Sequence, residues 1–308
     1  MRTRIKRLSG VRDGLLVEKD RLLRDEFQTV GDYIVLEELG GGGFGRVVRA
    51  YDTERWHDVA IKQLQLKDVP NPQVRERKIE SAFTELRAVE RVEHPGIAQV
   101  WAVGRDEGGF YVVQEFIEGR RLDDAVRKWT KTLAPESLVA KVIFLLKHMA
   151  GALQALHAQG VFHRDLKPAN VILRKADGCP VIVDMGIAHV TRSGSDDDPF
   201  AGFGTLGYMS PEQLRKEPLD GRSDLYALGV IVYEILTGEL PIAFPRRASR
   251  QQCEEILRKS EIAPLARRCP KASGALSALV MSLLAKSPDG RRKSAQEVAN
   301  EADRFLAP

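Results

Sequence analysis

The chain is short of cysteine and of aromatic residues, and it has no long uninterrupted apolar run. Its three cysteines, Cys179, Cys253 and Cys269, are odd in number and widely spaced along 308 residues. They make neither a disulfide framework nor a zinc site, which needs closely spaced ligand pairs. A reducing, cytoplasmic setting suits such a set. No stretch of about 18 consecutive apolar residues occurs, so no membrane span is expected. The basic opening MRTRIKRLSG lacks the apolar core of about 7–15 residues that a secretory signal carries. Excess charge is scarce too. The formal net charge is +4, and residues 1–12 alone hold five Arg/Lys and no acid. The nearly neutral remainder lacks the basic surface that nucleic acid requires, so no nucleic-acid partner is expected.

What remains is an ordinary globular composition, 43% hydrophobic and 29% charged, in a chain long enough to bury a sizeable core. Its character changes along its length. In residues 1–31, Leu15, Leu16, Leu22, Leu23 and Phe27 recur at near-helical spacing among charges. One amphipathic helix is expected there, docked on the main body or available for self-association. Residues 32–117 read as short strands, with runs at 33–36, 45–50, 58–62 and 110–113. One helix, from about Val74 to Val92, interrupts them. Residues 118–308 read as long helices. Apolar residues surround most of 138–159, and 225–237 (LYALGVIVYEILT) carries one charge in thirteen residues; both should be core helices. The expected fold class is α+β, a small mostly-β lobe before a larger mostly-α lobe, with ligand binding in a cleft between them.

Four constellations carry chemistry. Gly40-Gly41-Gly42-Gly43-Phe44-Gly45-Arg46-Val47 fits G-x-G-x-x-G-x-V. Glycines there let backbone N–H groups approach phosphate oxygens. A strand rather than a helix follows, which disfavours a dinucleotide site. Val59-Ala60-Ile61-Lys62 ends an apolar strand in a cation. Lys62 is a compact charge for phosphate and needs a carboxylate to hold its flexible stem, and Glu85 is the candidate. His163-Arg164-Asp165-Leu166-Lys167-Pro168-Ala169-Asn170 is a polar cluster placed between a buried helix and apolar Val171-Ile172-Leu173. In it Asp165 can accept a hydroxyl proton, Lys167 can neutralise a transferring phosphoryl group, and Asn170 can bind metal. Asp184 closes Val181-Ile182-Val183 with Gly186 two residues on, a natural Mg²⁺ ligand at a sharp turn.

Together these residues resemble the eukaryotic-like, bacterial-type serine/threonine protein kinase family, over roughly residues 32–306. Gly204-Thr205, Ser210-Pro211-Glu212, Asp224 and Arg291 extend the likeness. The resemblance implies the two-lobed kinase fold and an ATP- and Mg²⁺-dependent transfer of the γ-phosphoryl group to protein serine and threonine, autophosphorylation included. It makes Asp165, Lys167, Lys62, Glu85 and Thr205 the catalytic set, and Asn170 and Asp184 the metal ligands. Leu39, Gly40, Gly42, Gly45, Val47, Ala60, Lys62, Gln114, Glu115, Ile117 and Ile172 become the ATP site. It pairs Glu212 with Arg291, sets Asp224 to brace the His163-Arg164 backbone, and gives Arg164 an anion from the loop 184–212, a phosphate in related kinases; here the acids Asp197 or Asp198, or phosphorylation at Thr191, Ser193 or Ser195, could supply it. Met185 stands where the family usually has Phe, and Gln114 is polar where an apolar residue is commoner. A catalytically silent nucleotide-binding scaffold would require loss of Lys62, Asp165, Asn170 or Asp184, and all four are present. A small-molecule phosphotransferase is disfavoured by the Ser210-Pro211-Glu212 segment.

Overall fold

The computed structural model describes residues 28–42, 45–64, 71–106, 109–185, 206–245 and 248–306. They fall into two compact units, one reaching to Ile79 and including Val100–Phe116, the other formed by Glu80–Gln99 and Ile117–Pro308.

The first unit is built on a six-stranded antiparallel sheet. Its strands are β1 (Thr29–Val30), β2 (Tyr33–Gly42), β3 (Gly45–Asp52), β4 (His57–Leu64), β5 (Val100–Asp106) and β6 (Gly109–Glu115), in the order β1-β2-β3-β4-β6-β5. Side chains alternate between faces along each strand. Val48, Ala50, Val59, Ile61, Tyr111 and Val113 therefore point one way and close a core with Val30 and Val35. The register places Val47 opposite Lys62, Ala60 opposite Gln114 and Lys62 opposite Val112. Val47, Ala60, Lys62 and Gln114 consequently share the other face. Gly45 starts β3 with φ +133°, and a Cβ there would lie 1.9 Å from the Gln63 carbonyl oxygen. This glycine is demanded by the hairpin itself, whatever the hairpin covers.

Helix α1 (Pro72–Val89) follows β4, and the boundary between the units falls inside it. Residues 80–99 cluster with the second unit, whereas the sequence reading assigns them to the β-rich lobe. The reason lies in backbone pairing: Ile182 N–H donates to Gly96, Ala98 N–H donates to Ile182, and Ile97 bridges to Ile182.

The second unit continues with β7 (Gly119–Arg121), α2 (Leu122–Thr132), α3 (Pro135–His157), β8 (Val171–Arg174) and β9 (Pro180–Ile182). Then come α4 (Pro211–Leu214), α5 (Gly221–Thr237), α6 (Arg250–Lys259), α7 (Leu265–Arg268), α8 (Gly274–Leu283) and α9 (Ala295–Leu306). Strands β7, β8 and β9 form a second small sheet. By length and composition α3 is apolar enough to cross a membrane, although charges and His148 break its run in the sequence. Here Leu145, Leu146, Met149, Leu153 and Leu156 of α3 are buried, and the helix packs against α5 and α9. Asp220 caps α5 by accepting from the Arg222 N–H, and Gly238 ends it in the left-handed conformation at φ 76°.

Among the described residues of this unit, the buried charges of Glu212 and Arg291 are matched to one another. Arg291 donates to both oxygens of Glu212, Nη1 to Oε1 at 2.6 Å and Nη2 to Oε2 at 2.8 Å, and the Ser223 hydroxyl adds a third bond at 2.7 Å. Burial pushes the Glu212 carboxyl upward, but Arg291 and Ser223 outweigh it and hold the pKa below its ordinary value. Glu212→Ala and Arg291→Ala should each lose about 3–5 kcal/mol of stability, with the double variant losing less than the sum. The depressed carboxyl stabilises the fold above its ordinary titration range, and that contribution is lost as pH falls through the lowered value. Glu212→Gln should therefore melt lower near neutral pH and show a flatter acid limb, which thermal denaturation against pH will check.

Candidate active site

The segment joining α3 to β8 holds two of the five predicted catalytic residues, Asp165 and Lys167, with Asn170 beside them, and one buried carboxylate organises it. Asp224, in the first turn of α5, accepts from the His163 N–H through Oδ2 and from the Arg164 N–H through Oδ1, both at 2.9 Å. His157 Nε2, from the last turn of α3, donates to Oδ2 at 2.8 Å. Burial alone would raise the Asp224 pKa. The hydrogen bond and charge of His157, the neighbouring His163 ring and the His163 N–H overcome it, and the pKa lies below its ordinary value.

From this brace the chain is fixed residue by residue. His163, fully buried, donates from Nε2 to the Val183 carbonyl at 3.2 Å. Its Nδ1 receives the Asp165 N–H at 3.2 Å. Arg164 adopts φ 62°, a left-handed conformation that costs a non-glycine residue about 1–3 kcal/mol unless its surroundings enforce it. Its N–H is held by Asp224, and its carbonyl accepts from Gln213 Nε2 at 2.7 Å. Asp165, Lys167 and Asn170 then come together. Lys167 Nζ donates to Asp165 Oδ2 at 2.8 Å, and Asn170 Nδ2 donates to the Asp165 carbonyl at 2.8 Å and to Oδ2 at 3.3 Å.

Asp184 is reached through the backbone. The Val183 N–H donates to the Asn170 carbonyl at 2.9 Å, while the Val183 carbonyl holds His163. Asp184 follows at once with φ 62°. Asn170 spends its amide nitrogen on Asp165, which leaves the side-chain oxygen as its coordinating atom. An amide oxygen and a carboxylate are hard donors suited to Mg²⁺, which takes few protein ligands and keeps the rest for phosphate and water. Among the described residues no group of three or more His, Cys, Asp or Glu side chains forms a self-contained metal cage. This donor set fits a cation that arrives with a nucleotide.

The remaining predicted residues divide between the units. Lys62, Val47, Ala60 and Gln114 lie on one sheet face of the first unit, as the register shows, with Gly40 opposite Val47 and Glu115 opposite Val59. Leu39 is an exposed apolar residue on β2. Ile117 packs with Ala98, Val181 and Val183 in the second unit, and Ile172 lies against that cluster. Thr205, Asp197 and Asp198 fall outside the described residues, as do residues 1–27 of the extension 1–31 expected to be helical; at its end Thr29–Val30 is instead a strand paired with β2.

Two pairings differ from or extend the sequence reading. The resemblance gives Glu85 to Lys62, and the structure bonds Glu85 to Arg164; the loop acids expected beside Arg164 lie outside the described residues. Nη1 donates to Oε1 at 2.8 Å across 79 residues of sequence. The pair is partly exposed, with side chains 24% and 36% accessible, so it contributes about 1 kcal/mol or less. Gln213 is the second addition. Its cap of α4 is legible as Ser-x-x-Gln, but its bond to Arg164 is not.

The geometry can be set beside known proteins. The protein kinase domain model matches residues 33–302. Serine/threonine-protein kinase PknJ of Mycobacterium tuberculosis is 32% identical over 273 residues, covering 88% of this chain and 44% of the relative. Serine/threonine-protein kinase A of Synechocystis is 33% identical over 293 residues, covering 93% of this chain and 54% of the relative. The chain thus spans about half the length of these relatives. The crystal structure of the M. tuberculosis PknI kinase domain aligns with a TM-score of 0.69 at 23% identity, covering 90% of this chain and 97% of that one. That likeness is one of fold.

Asp224→Asn tests the brace. One oxygen becomes an amino group facing a backbone N–H, which should cost about 1–3 kcal/mol. The melting temperature should fall, and the His163 and Arg164 amides should exchange faster with deuterium. Unchanged exchange at those two amides would show that Asp224 does not hold them.

Proposed function

Because the chain belongs to the protein kinase family, we propose that it is a serine/threonine protein kinase that moves the γ-phosphoryl group of ATP to protein serine and threonine hydroxyls, its own included. One observation carries the reading: Asp165 is held by Lys167 and Asn170 on a backbone pinned to Asp224. In transfer, the substrate hydroxyl loses its proton to Asp165 and its oxygen bonds the γ-phosphorus. The bond from that phosphorus to the β,γ-bridging oxygen breaks, and ADP leaves. Lys167 lies beside the same carboxylate and is suited to balance charge on the moving phosphoryl group. By family resemblance, a lysine two residues after Asp165 supports serine and threonine as acceptors.

Asn170 and Asp184 would hold the cation, and Mg²⁺ there neutralises charge on the β- and γ-phosphate oxygens. Lys62 acts on the phosphates. Val47, Ala60 and Gln114, sharing its sheet face, and Ile117 and Ile172 of the second unit are read as residues that receive the nucleotide. The free thiols of Cys179, Cys253 and Cys269 support a reducing, cytoplasmic location. Self-association through residues 1–31 completes the proposal.

Labelled ATP, Mg²⁺ and a generic protein acceptor test the reading directly. Wild-type protein should label both itself and the acceptor, and chelation should stop it. Asp165→Asn should lower turnover by about a thousandfold or more while ATP still binds, because it removes a group that acts in the transition state. Asp184→Ala and Lys62→Ala should weaken ATP·Mg²⁺ binding as well. Near-normal labelling by Asp165→Asn would refute the catalytic assignment, and labelling of aminoglycosides but no protein would point to a small-molecule phosphotransferase. A chain beginning at Gln28, which keeps β1 and the buried Val30, should retain labelling, since residues 1–27 bring no motif; loss of a dimer in size-exclusion chromatography would identify them as the self-association segment.

A further inference from the structure

We infer that Gln213 is a positioning residue for Asp165. This rests on the kinase reading above, and it names a function for a residue that the motif resemblance leaves without one.

The side-chain amide of Gln213 works at both ends. Its Oε1 accepts from the Ser210 N–H at 3.0 Å, and its Nε2 donates to the Arg164 carbonyl at 2.7 Å. An N–H on one side and a carbonyl on the other admit only one orientation of the amide. The Gln213 N–H in turn meets the Ser210 hydroxyl oxygen at 3.4 Å, which completes a capping box on α4. Helix α4 has only four residues, too few to be stable alone, so its position comes from its anchors. Glu212, the neighbour of Gln213, supplies the main one through Arg291 and Ser223. Gln213 therefore projects from a fixed base.

The carbonyl it grips belongs to the peptide unit that leads into Asp165. On the N-terminal side of Arg164, Asp224 holds the N–H; on the C-terminal side, Gln213 holds the C=O. These two bonds clamp the left-handed residue from both flanks. The same peptide carries the Asp165 N–H, which points back to the carbonyl and Nδ1 of His163 at 2.8 and 3.2 Å. A rotation of the peptide that released Gln213 would also disturb those bonds and swing the Asp165 carboxylate away from Lys167 and Asn170. The small, partly open cavity lined by Arg164, Asp165, Tyr208, Gln213 and Asp224 has a volume of about 10 Å³, at the lower limit for one water. No spare water is needed to bond the Arg164 carbonyl while Gln213 is present. Cutting the side chain to alanine would make room for one, so Gln213→Ala is a poor probe.

Glutamate and methionine separate the two ends of the amide. Gln213→Glu keeps an acceptor for the Ser210 N–H and sets an oxygen against the Arg164 carbonyl. Gln213→Met is neutral, fills similar space and loses both bonds. Ser210→Ala weakens the cap and leaves the Nε2 donor in place. Steady-state kinetics with ATP and a protein acceptor, thermal melts and ATP affinity would be measured for all three beside Asp165→Asn. A misplaced catalytic group costs about ten- to a hundredfold in turnover. Gln213→Glu and Gln213→Met should both lose turnover on that scale, with KM for ATP and ATP affinity changing by about twofold or less. Ser210→Ala should lower the melting temperature and spare turnover. Should Gln213→Glu not fold, Gln213→Met against Ser210→Ala gives the same comparison. Turnover within about twofold of wild type in the Gln213 variants, or a loss matched by Ser210→Ala, would overturn the inference. If Asp165→Asn keeps its turnover, the catalytic assignment itself falls; if it is inactive while the Gln213 variants are normal, only the positioning role does.

Discussion

Everything chemical in this chain depends on the burial of one carboxylate. Asp224 is 1% exposed, and such a charge is tolerable only when hydrogen bonds replace its lost water. Two of the replacements are backbone N–H groups of the catalytic segment, and the third is His157. The dependence is mutual. Those N–H groups are buried donors that need an acceptor, and Asp224 needs donors. Neither can relax without stranding the other, so the loop is rigid for the reason that the carboxylate is stable.

Charge outside that brace is held in two different ways. Glu212 and Arg291 are sealed together, whereas Glu85 and Arg164 meet where solvent reaches both. The two ion pairs thus differ in kind. Breaking the first leaves a buried charge uncompensated; breaking the second returns two half-solvated groups to water at small cost. A pair of the second kind exchanges partners readily, and it is Glu85 and Arg164 to which the family resemblance assigns other partners. The part of the site fixed by burial agrees with the motif reading. In the part open to solvent, Glu85, the expected partner of Lys62, bonds Arg164.

The sequence made the periodic elements legible. The apolar circumference of 138–159 and the single charge of 225–237 signal core helices, found at Pro135–His157 and Gly221–Thr237. The runs at 33–36, 45–50, 58–62 and 110–113 lie within β2, β3, β4 and β6. Less patterned segments escaped. Helix α2 buries only Leu122 and Ala125 and is otherwise largely charged, and β5 interrupts its apolar residues with Gly104 and Arg105. At the site, the His163-to-Asn170 cluster stands out because polar residues between a buried helix and an apolar strand lack a packing reason. The Glu85–Arg164 bond has no such local signature, since spacing reveals neighbours within one element and not partners 79 residues apart. Gln213 shows the limit most sharply. Its cap is a pattern four residues long, while its second bond depends on where α4 lands in space.

The helices of the second unit matter at this site chiefly for what their ends deliver. Asp224 from the first turn of α5 and Gln213 from α4 converge on residues 163–164, and His157 from the last turn of α3 holds Asp224 in turn. Arg164 and Asp184 both sit at φ 62°, a conformation that glycine would adopt without strain. Glycine would also free the backbone, and a carboxylate proposed to receive a proton in one geometry gains nothing from freedom. A side-chain-bearing residue forced into the left-handed region by bonds on both flanks has few alternatives left to sample. The strain at Arg164 is therefore affordable because the helix ends that enforce it are already fixed by the core, and folding energy is converted into the placement of Asp165.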